Sequence, residues 1–300
     1  MSRKTRTSAD PELSRKLSRR GMLGVAAGAT AAALVGGAAT PAAAHGKGHG
    51  SPLLPPGRLG IQLYTLREPL EKDLEGTLAA LAKIGYKEVE LAGTYGRSAA
   101  QFRAILDRVG LTTPSGHCGI PEITDTLDQT IANARTLGQR YVIVASLPDE
   151  MHGAAGYSKA AQIMNAAAAR LDGEGLRLGY HNHDVEFAPI DGPRTGYEIL
   201  LAETNPKTFV FELDLFWIRK AGGDALALFQ QHKDRFRLVH VKDMAADGAM
   251  VDVGKGAMDW HTLLGAAKKA GVKHFLVEHD DAKDPLAFAQ VSYDYVSRIK

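Results

Sequence analysis

Eight short apolar runs alternate with longer segments of helical periodicity from Leu59 to the end of the chain. Short runs rich in β-branched and apolar residues are typical of buried strands, and the segments between them are long enough for the crossovers that parallel strands require. The runs are LGIQLYTL (59–66), YKEVELA (86–92), LTTPSGH (111–117), YVIVAS (141–146), LRLGYHN (176–182), TFVFELD (208–214), FRLVHVK (236–242) and HFLVEHD (274–280). Pro114 makes the third run the weakest strand prediction, since proline cannot donate to a ladder. Eight alternations in one uninterrupted stretch predict an α/β fold, a (β/α)8 barrel in a single domain.

The segment after the first run carries a helical stripe. Its leucines recur at the spacing that places side chains on one helix face. The stripe consists of Leu70, Leu74, Leu78 and Leu81. We expect one helix here, ended by Gly85, that packs this face against the barrel wall.

The first 44 residues resemble an export signal and not a part of the fold. The adjacent Arg19 and Arg20 precede a weakly apolar stretch interrupted by glycines, and small residues suited to cleavage end at Ala44. Paired arginines in this setting are typical of the twin-arginine route, which exports folded proteins. The apolar stretch is too short and too rich in glycine for a membrane span. We therefore predict a cleavable signal over 1–44, the twin-arginine translocation machinery as a partner, no permanent membrane anchor, and a periplasmic or extracellular location.

Beyond that leader, we predict a flexible Gly-, His- and Pro-rich linker over 45–57 and the barrel domain over 58–300. The chain has 36 Lys and Arg and 34 Asp and Glu, of which the leader carries seven and two, so the rest has a net charge of −3. A nucleic-acid partner needs a concentrated positive face, and this balance argues against one. The single cysteine, Cys118, has no intrachain partner, and we interpret it as a packing residue.

Polar residues cluster at the predicted carboxyl ends of the strands, where (β/α)8 barrels place their reactive groups. Residues two apart on a strand share a face, so these side chains are expected to face the barrel mouth. The inward pairs are His181 with His183, Glu212 with Asp214, His240 with Lys242, and Glu278 with Asp280, and Glu90 and His117 complete the ring. Carboxylates held close together repel each other and favour a cation. Imidazole and carboxylate donors without a thiolate suit Mn, Zn, Co or Fe(II), so we predict one divalent metal ion here.

These residues lie in motifs that occur in a fixed order along the chain. The motifs are YHNHDVEF, ELDLFW, HVKD followed by VGKGAMDW, and VEHD, preceded by IQLYTLRE and GYKEVELAGTYG. In combination they resemble the xylose isomerase-like TIM barrel superfamily, which contains sugar phosphate isomerases/epimerases and relatives of endonuclease IV. The resemblance covers essentially the whole predicted mature chain, although no single motif is specific for a substrate.

The resemblance implies a set of metal ligands at the ends of strands five to eight. Family members typically use Glu, Asp, His and Glu in that order, and the last three match Asp214, His240 and Glu278. The strand-five Glu commonly occurs as Glu-Asn-His, but here the triplet begins with His181 and ends with His183. We place His181 among the metal ligands and leave open which of the two histidines contacts the metal. Glu278 and His183 are then the expected acid/base residues.

Other polar and aromatic residues near the strand ends are predicted substrate contacts. They are Arg67, Glu90, His117, Glu186, Trp217 and Lys242. Glu186 is equally compatible with bracing the loop that follows strand five, and Trp217 could stack on a sugar or cover the loop. Lys242 could bind substrate oxygens or pair with Glu212 or Asp243.

The resemblance implies a metal-dependent isomerase or epimerase that works through a metal-stabilised enediolate. Export, together with the lack of a phosphate loop, favours an unphosphorylated sugar, keto-sugar or glycoside as substrate. A lyase or hydrolase that cleaves 3-keto-glycosides by β-elimination is an alternative, because His181 replaces one of the two glutamates used for epimerisation. A non-catalytic sugar-binding barrel is a second alternative. The acidic charge and the small number of histidines argue against an endonuclease.

Overall fold

Eight parallel strands close into a barrel in a computed structural model that describes residues 51–54, 57–190 and 192–300. Each strand pairs with its neighbours in the chain, and the first pairs with the last. The strands are β1 Leu59–Gln62, β2 Glu88–Leu91, β3 Thr112–Cys118, β4 Tyr141–Val144, β5 Arg177–His181, β6 Phe209–Asp214, β7 Phe236–Val241 and β8 His274–Val277. The predicted (β/α)8 barrel is confirmed, while the predicted export signal and most of the predicted linker lie outside the described residues.

Helices follow the strands and cover the outside of the barrel. They are α1 Arg67–Lys72, α2 Leu74–Ile84, α3 Ala99–Val109, α4 Ile120–Thr124, α5 Leu127–Leu137, α6 Ala154–Gly173, α7 Gly196–Glu203, α8 Leu215–Lys220, α9 Ala225–Gln231, α10 Trp260–Lys269 and α11 Pro285–Val296. A short antiparallel hairpin joins Asp243–Met244 to Met250–Val251 after β7. In the part of the chain that the structure describes, no helix has the length and apolar character of a membrane span.

The single helix predicted after β1 is divided in two at Asp73. This residue has an extended φ of −149°, and its carboxylate accepts a hydrogen bond from the Gly76 N–H, which caps α2. The four leucines of the predicted stripe are nevertheless all buried. Gly85 ends α2 at a φ of +130°, as predicted, because glycine tolerates this region of backbone space.

The third strand forms in spite of Pro114. β3 pairs regularly with β4 from Ser115 to Cys118, but its register with β2 shifts between Glu88 and Glu90. The irregular segment of β3 contains the proline, which has no N–H to contribute to a ladder. The barrel therefore accommodates Pro114 by a local irregularity.

An apolar layer fills the middle of the barrel interior. It contains Ile143, Val210, Leu238 and Leu276, which form one buried cluster with Tyr141. Gly60 and Gly179 make room for this layer, since a Cβ on either would lie 2.6 Å from a Leu276 or Ile143 methyl carbon. Two residues further along β6, β7 and β8 the inward positions become polar, so the apolar layer is the floor beneath the predicted site.

Candidate metal centre and active site

Four donor side chains converge at the carboxyl ends of β5 to β8. This outer group consists of His181, Asp214, His240 and Glu278, all buried, and it offers one donor atom from each residue within 4.8 Å of the others. His240 Nδ1 lies 2.7 Å from Glu278 Oε2 and 3.8 Å from Asp214 Oδ2, and His181 Nε2 lies 3.3 Å from the same Asp214 oxygen. The structure thus brings together the four residues that the resemblance selects as metal ligands.

A second group of donors lies against the other nitrogen of His240. This inner group consists of Glu90, His117, Glu212 and His240, and its donor atoms also lie within 4.8 Å of one another. His240 Nε2 is 2.7 Å from Glu90 Oε2 and 3.2 Å from Glu212 Oε2. His117 Nε2 is 2.8 Å from the Glu212 oxygen and 3.3 Å from the Glu90 oxygen. His240 therefore belongs to both groups, with one ring nitrogen in each.

Lys242 provides a buried positive charge beside the outer group. Its Nζ lies 3.1 Å from Asp214 Oδ2, 2.7 Å from Glu278 Oε2 and 2.7 Å from Asp280 Oδ1. Burial lowers the pKa of Lys242, but the three carboxylates outweigh burial and raise the pKa above its ordinary value. Among the described residues, neither Glu212 nor Asp243 forms an ion pair with Lys242, so the alternative in which Lys242 pairs with one of them is not seen.

The protonation states of the outer group suit a divalent cation. Burial and the neighbouring His240 lower the pKa of His181 to about 3, so this imidazole is neutral. Burial raises the pKa of Asp214 and of Glu278, but Lys242 and the facing histidines outweigh it, and both pKa values fall below the ordinary range. Burial lowers the pKa of His240, whereas Glu212 and Glu278 raise it well above its ordinary value. Metal binding would displace that proton. Two imidazoles and two carboxylates then match the donors that Mn, Zn, Co and Fe(II) accept.

A cavity of about 360 Å³ opens above the outer group. This volume lies within the usual range of small-molecule sites, about 300–1,000 Å³. Its lining includes His181, Glu278 and Lys242, together with the predicted contacts His183 and His117. The predicted metal ligands thus meet predicted acid/base and substrate residues at one cavity.

Four of the six predicted substrate contacts do not line this cavity, and two of these four, Glu90 and Glu186, are buried away from it. Glu90 is fully buried beneath His240, where it also accepts a hydrogen bond from Gln62 Nε2 at 2.8 Å. Glu186 is buried as well, accepting from the Tyr180 hydroxyl at 2.5 Å and from the His183 N–H at 2.8 Å. These contacts favour the bracing interpretation of Glu186, which holds the loop that carries His183.

Arg67 and Trp217 flank the mouth without belonging to the cavity wall. Arg67 donates to the carbonyl oxygens of Tyr64 and Asp280 at 3.0 and 2.9 Å, and so ties the loop after β1 to the loop after β8. The Trp217 ring lies 5.5 Å from the His183 ring, and the Lys220 Nζ lies 4.4 Å from the centre of the Trp217 ring. Trp217 therefore lies beside two residues that line the cavity, His183 and Lys242, whose Nζ is 5.7 Å from the ring centre.

Gln62 is a site residue outside the predicted set, and Glu212 was predicted to face inward without a role as metal ligand or substrate contact. Gln62 ends β1, two residues after the inward-facing Gly60, so the same alternation rule would have placed it in the ring. Glu212 lies two residues before Asp214 on β6 and contacts both His117 and His240. Glu212 lies on the same inward face of β6 as Asp214, but it lies deeper in the barrel than the metal ligands.

The comparisons with known proteins agree with this architecture. A protein-family model described as xylose isomerase-like TIM barrel matches residues 78–292. The chain belongs to this family. Rhizopine catabolism protein MocC of Rhizobium meliloti is 24% identical to this xylose isomerase-like barrel over 278 residues, which cover 75% of this chain and 81% of the relative.

Solved structures share the barrel. A sugar phosphate isomerase/epimerase from Parabacteroides distasonis is 25% identical, with a TM-score of 0.71 over 79% of this chain and 96% of that one. The IolI protein, solved with a bound zinc atom, is 16% identical, with a TM-score of 0.64 over 80% of this chain and 98% of that one. The second likeness concerns the fold alone.

Proposed function

We propose that this xylose isomerase-like barrel is a divalent-metal-dependent sugar or keto-sugar isomerase or epimerase. The observation that carries the proposal is the outer group, four buried donors of which His181 and Glu278 line a cavity of substrate size. Membership of a family with sugar isomerases and epimerases supports the reaction class.

The residues that would hold the metal are His181, Asp214, His240 and Glu278. The zinc atom in the IolI protein supports a metal in this fold, and the donor set is compatible with Mn, Zn, Co or Fe(II). When bound, a divalent ion polarises a carbonyl group and stabilises the negative charge that develops on oxygen.

We propose that two side chains, Glu278 and His183, carry protons. His240 Nδ1 and Lys242 Nζ both contact Oε2 of Glu278, so we propose that Oε1 faces the substrate. Glu278 would remove the proton from the carbon between a carbonyl and a hydroxyl group, giving an enediolate. His183, which follows β5 on the other side of the cavity, would return a proton. Return to the opposite face of the same carbon gives an epimer, and return to the neighbouring carbon gives an isomer.

The charges of the mouth favour a substrate without a phosphate group. Lys242 is already balanced by three carboxylates, and Arg67 is engaged by two backbone carbonyls. We propose an unphosphorylated sugar or glycoside for this reason. We also propose that residues 1–44 direct twin-arginine export, which is tested by replacing Arg19 and Arg20 with lysine and measuring the secreted fraction.

Turnover in heavy water tests the reaction. Metal-loaded protein is incubated with a panel of keto-sugars and keto-glycosides, and the products are analysed for deuterium. We expect deuterium in an isomer or epimer, and its loss in Glu278→Gln and His183→Gln, whereas His152→Gln, at a histidine outside the outer and inner groups, keeps turnover. Failure of the protein to bind metal, or unchanged turnover in Glu278→Gln, would contradict the proposal.

β-Elimination from 3-keto-glycosides is the second candidate function. The asymmetry of the outer group favours it, because a neutral His181 stands where a second glutamate would serve a two-base epimerase. The same incubation separates the candidates, since release of an aglycone signals elimination. Sugar binding by the metal-loaded protein without any turnover would instead favour a non-catalytic sugar-binding barrel.

A further inference from the structure

We propose that Glu90 is a positioning residue that fixes the tautomer of His240, so that Nδ1 faces the outer group and this group, not the inner one, holds the metal. The inference rests on the proposed function, because it assigns the metal to one of two groups that share His240. It gives Glu90 a role through His240, with no substrate contact.

The orientation of the Gln62 side-chain amide determines which atom donates in its hydrogen bond with Glu90. Its Oε1 accepts from the Tyr64 N–H at 3.1 Å, which leaves its Nε2 to donate to Glu90 Oε2 at 2.8 Å. An oxygen that accepts from an amide N–H acts as an acceptor toward its other neighbours. The second neighbour, 2.7 Å away, is His240 Nε2, which must therefore carry a proton.

The other nitrogen of His240 then presents its lone pair to the outer group when the ring is neutral. Nδ1 lies 2.7 Å from Glu278 Oε2, and two acceptors at that distance repel each other unless a cation or a proton lies between them. A metal at the outer group resolves this conflict, while Glu90 holds the ring from below. A carboxylate that binds the far N–H of a ligating histidine is a common way to orient the ring and raise its basicity.

The rival arrangement places the cation in the inner group. Glu90 Oε1 and Glu212 Oε1 are buried and have no hydrogen-bond partner among the described residues, which would suit a cation there. However, a cation bound to Nε2 of His240 would require the removal of the proton that Nε2 donates to Glu90. The two arrangements differ in which nitrogen of His240 is protonated, and this difference can be measured.

The chain contains a matched control two residues earlier on the same strand. Glu88 Oε2 lies 2.7 Å from His274 Nδ1, a buried Glu–His pair on the far side of the apolar layer from the outer group. Glu88→Gln therefore makes the same chemical change in a Glu–His pair with the same oxygen–nitrogen distance. Neither residue of this pair belongs to the outer or the inner group.

The test uses the full-length chain with zinc as the probe. Nitrogen-15 NMR of histidine-labelled, zinc-loaded protein reports the tautomer of His240, and chelator competition reports zinc affinity for wild type, Glu90→Gln and Glu88→Gln. We expect one zinc per chain, a protonated Nε2 on His240, a loss of affinity of about 10–100-fold in Glu90→Gln, and a change below about twofold in Glu88→Gln.

Each contrary result has a separate meaning. Equal zinc affinity in Glu90→Gln and wild type, zinc on Nε2 of His240, or a second zinc that Glu90→Gln removes would overturn this inference alone. No zinc on wild type would overturn the proposed function and this inference with it. If Glu90→Gln does not fold, the tautomer in the wild-type protein decides.

Discussion

Two buried glutamate–histidine pairs, both 2.7 Å long, occupy the two ends of the same barrel. Glu88 and His274 meet near the amino ends of the strands, where the partly exposed Arg58 lies 3.6 Å from Glu88. Glu90 and His240 meet two residues further along, where both side chains are fully buried. The pair chemistry is the same, but only the second pair adjoins further donors. Position relative to the apolar layer, and not the pair itself, distinguishes a structural contact from a candidate metal centre.

The strongest test of this comparison removes the histidine from each pair. His240→Ala deletes a donor common to both groups, so we expect metal affinity and turnover to fall steeply. The loss should exceed the roughly 100-fold seen at most when a residue that only hydrogen-bonds a metal ligand is replaced. His274→Ala should keep one metal per chain and turnover, with reduced stability. Elemental analysis and product assays on both variants provide the measurement. Retention of stoichiometric metal by His240→Ala would place the centre elsewhere.

Lys242→Met tests how strongly the carboxylates of the outer group depend on a buried positive charge. The variant leaves Asp214, Glu278 and Asp280 without their buried ammonium, and removing one partner of a buried ion pair costs about 3–5 kcal/mol. A divalent cation would replace part of that charge, so we expect the loss of unfolding free energy to be largest in metal-free protein and smaller after loading. Denaturant unfolding with and without metal measures this. Lys255→Met, at an exposed lysine paired with Asp252, is the control.

Gly60→Ala tests the assignment of the middle layer to packing alone. The new Cβ would lie 2.6 Å from Leu276 Cδ2 and 3.0 Å from the fixed carbonyl oxygen of Glu88. Overpacking of this kind costs about 1–3 kcal/mol, so we expect lower stability with unchanged metal affinity per folded molecule. Gly265→Ala, in α10 with open space around the added Cβ, should not destabilise the protein. A change in metal affinity in Gly60→Ala without a change in stability would contradict the layer assignment.

The pH dependence of stability tests the charge balance of the inner group. Burial lowers the pKa of His117, but Glu90 and Glu212 raise it to about 10, above the ordinary value of about 6.5. A group whose pKa is raised by folding contributes its full stabilisation below its unfolded-state pKa and loses it as the pH approaches its folded-state pKa. Stability should therefore fall as pH rises from about 6.5 to 10, by at most about 1.4 kcal/mol per pH unit. Unfolding of metal-free protein across this range measures the slope. His117→Gln should reduce this slope, and the raised pKa of His240 should account for the part that remains.

The sequence predicted the face of the site residues better than their depth. Alternation along β5 to β8 placed His181, Asp214, His240 and Glu278 on the inner face, and the structure brings these four together. The same rule could not tell that Glu90 lies one layer lower, because the height of a residue in a barrel depends on the stagger between strands. That stagger is not visible in the pattern of a single strand.

Local hydrogen bonds account for the other differences. The helix predicted across Asp73 breaks because that carboxylate caps Gly76, a contact that periodicity alone does not reveal. Glu186 lies in the loop after β5, and its contacts with Tyr180 and the His183 N–H depend on how that loop folds back. Apolar periodicity therefore predicted the barrel, whereas side chains that bind nearby backbone were the main source of error.

Anomalous diffraction from crystals of the zinc-loaded, full-length protein tests the central claim most directly, because it locates the cation between two groups that share one histidine. We expect a single peak bounded by His181, Asp214, Nδ1 of His240 and Glu278. A peak at Nε2 of His240 among Glu90, His117 and Glu212, or no peak at either group, would contradict the account.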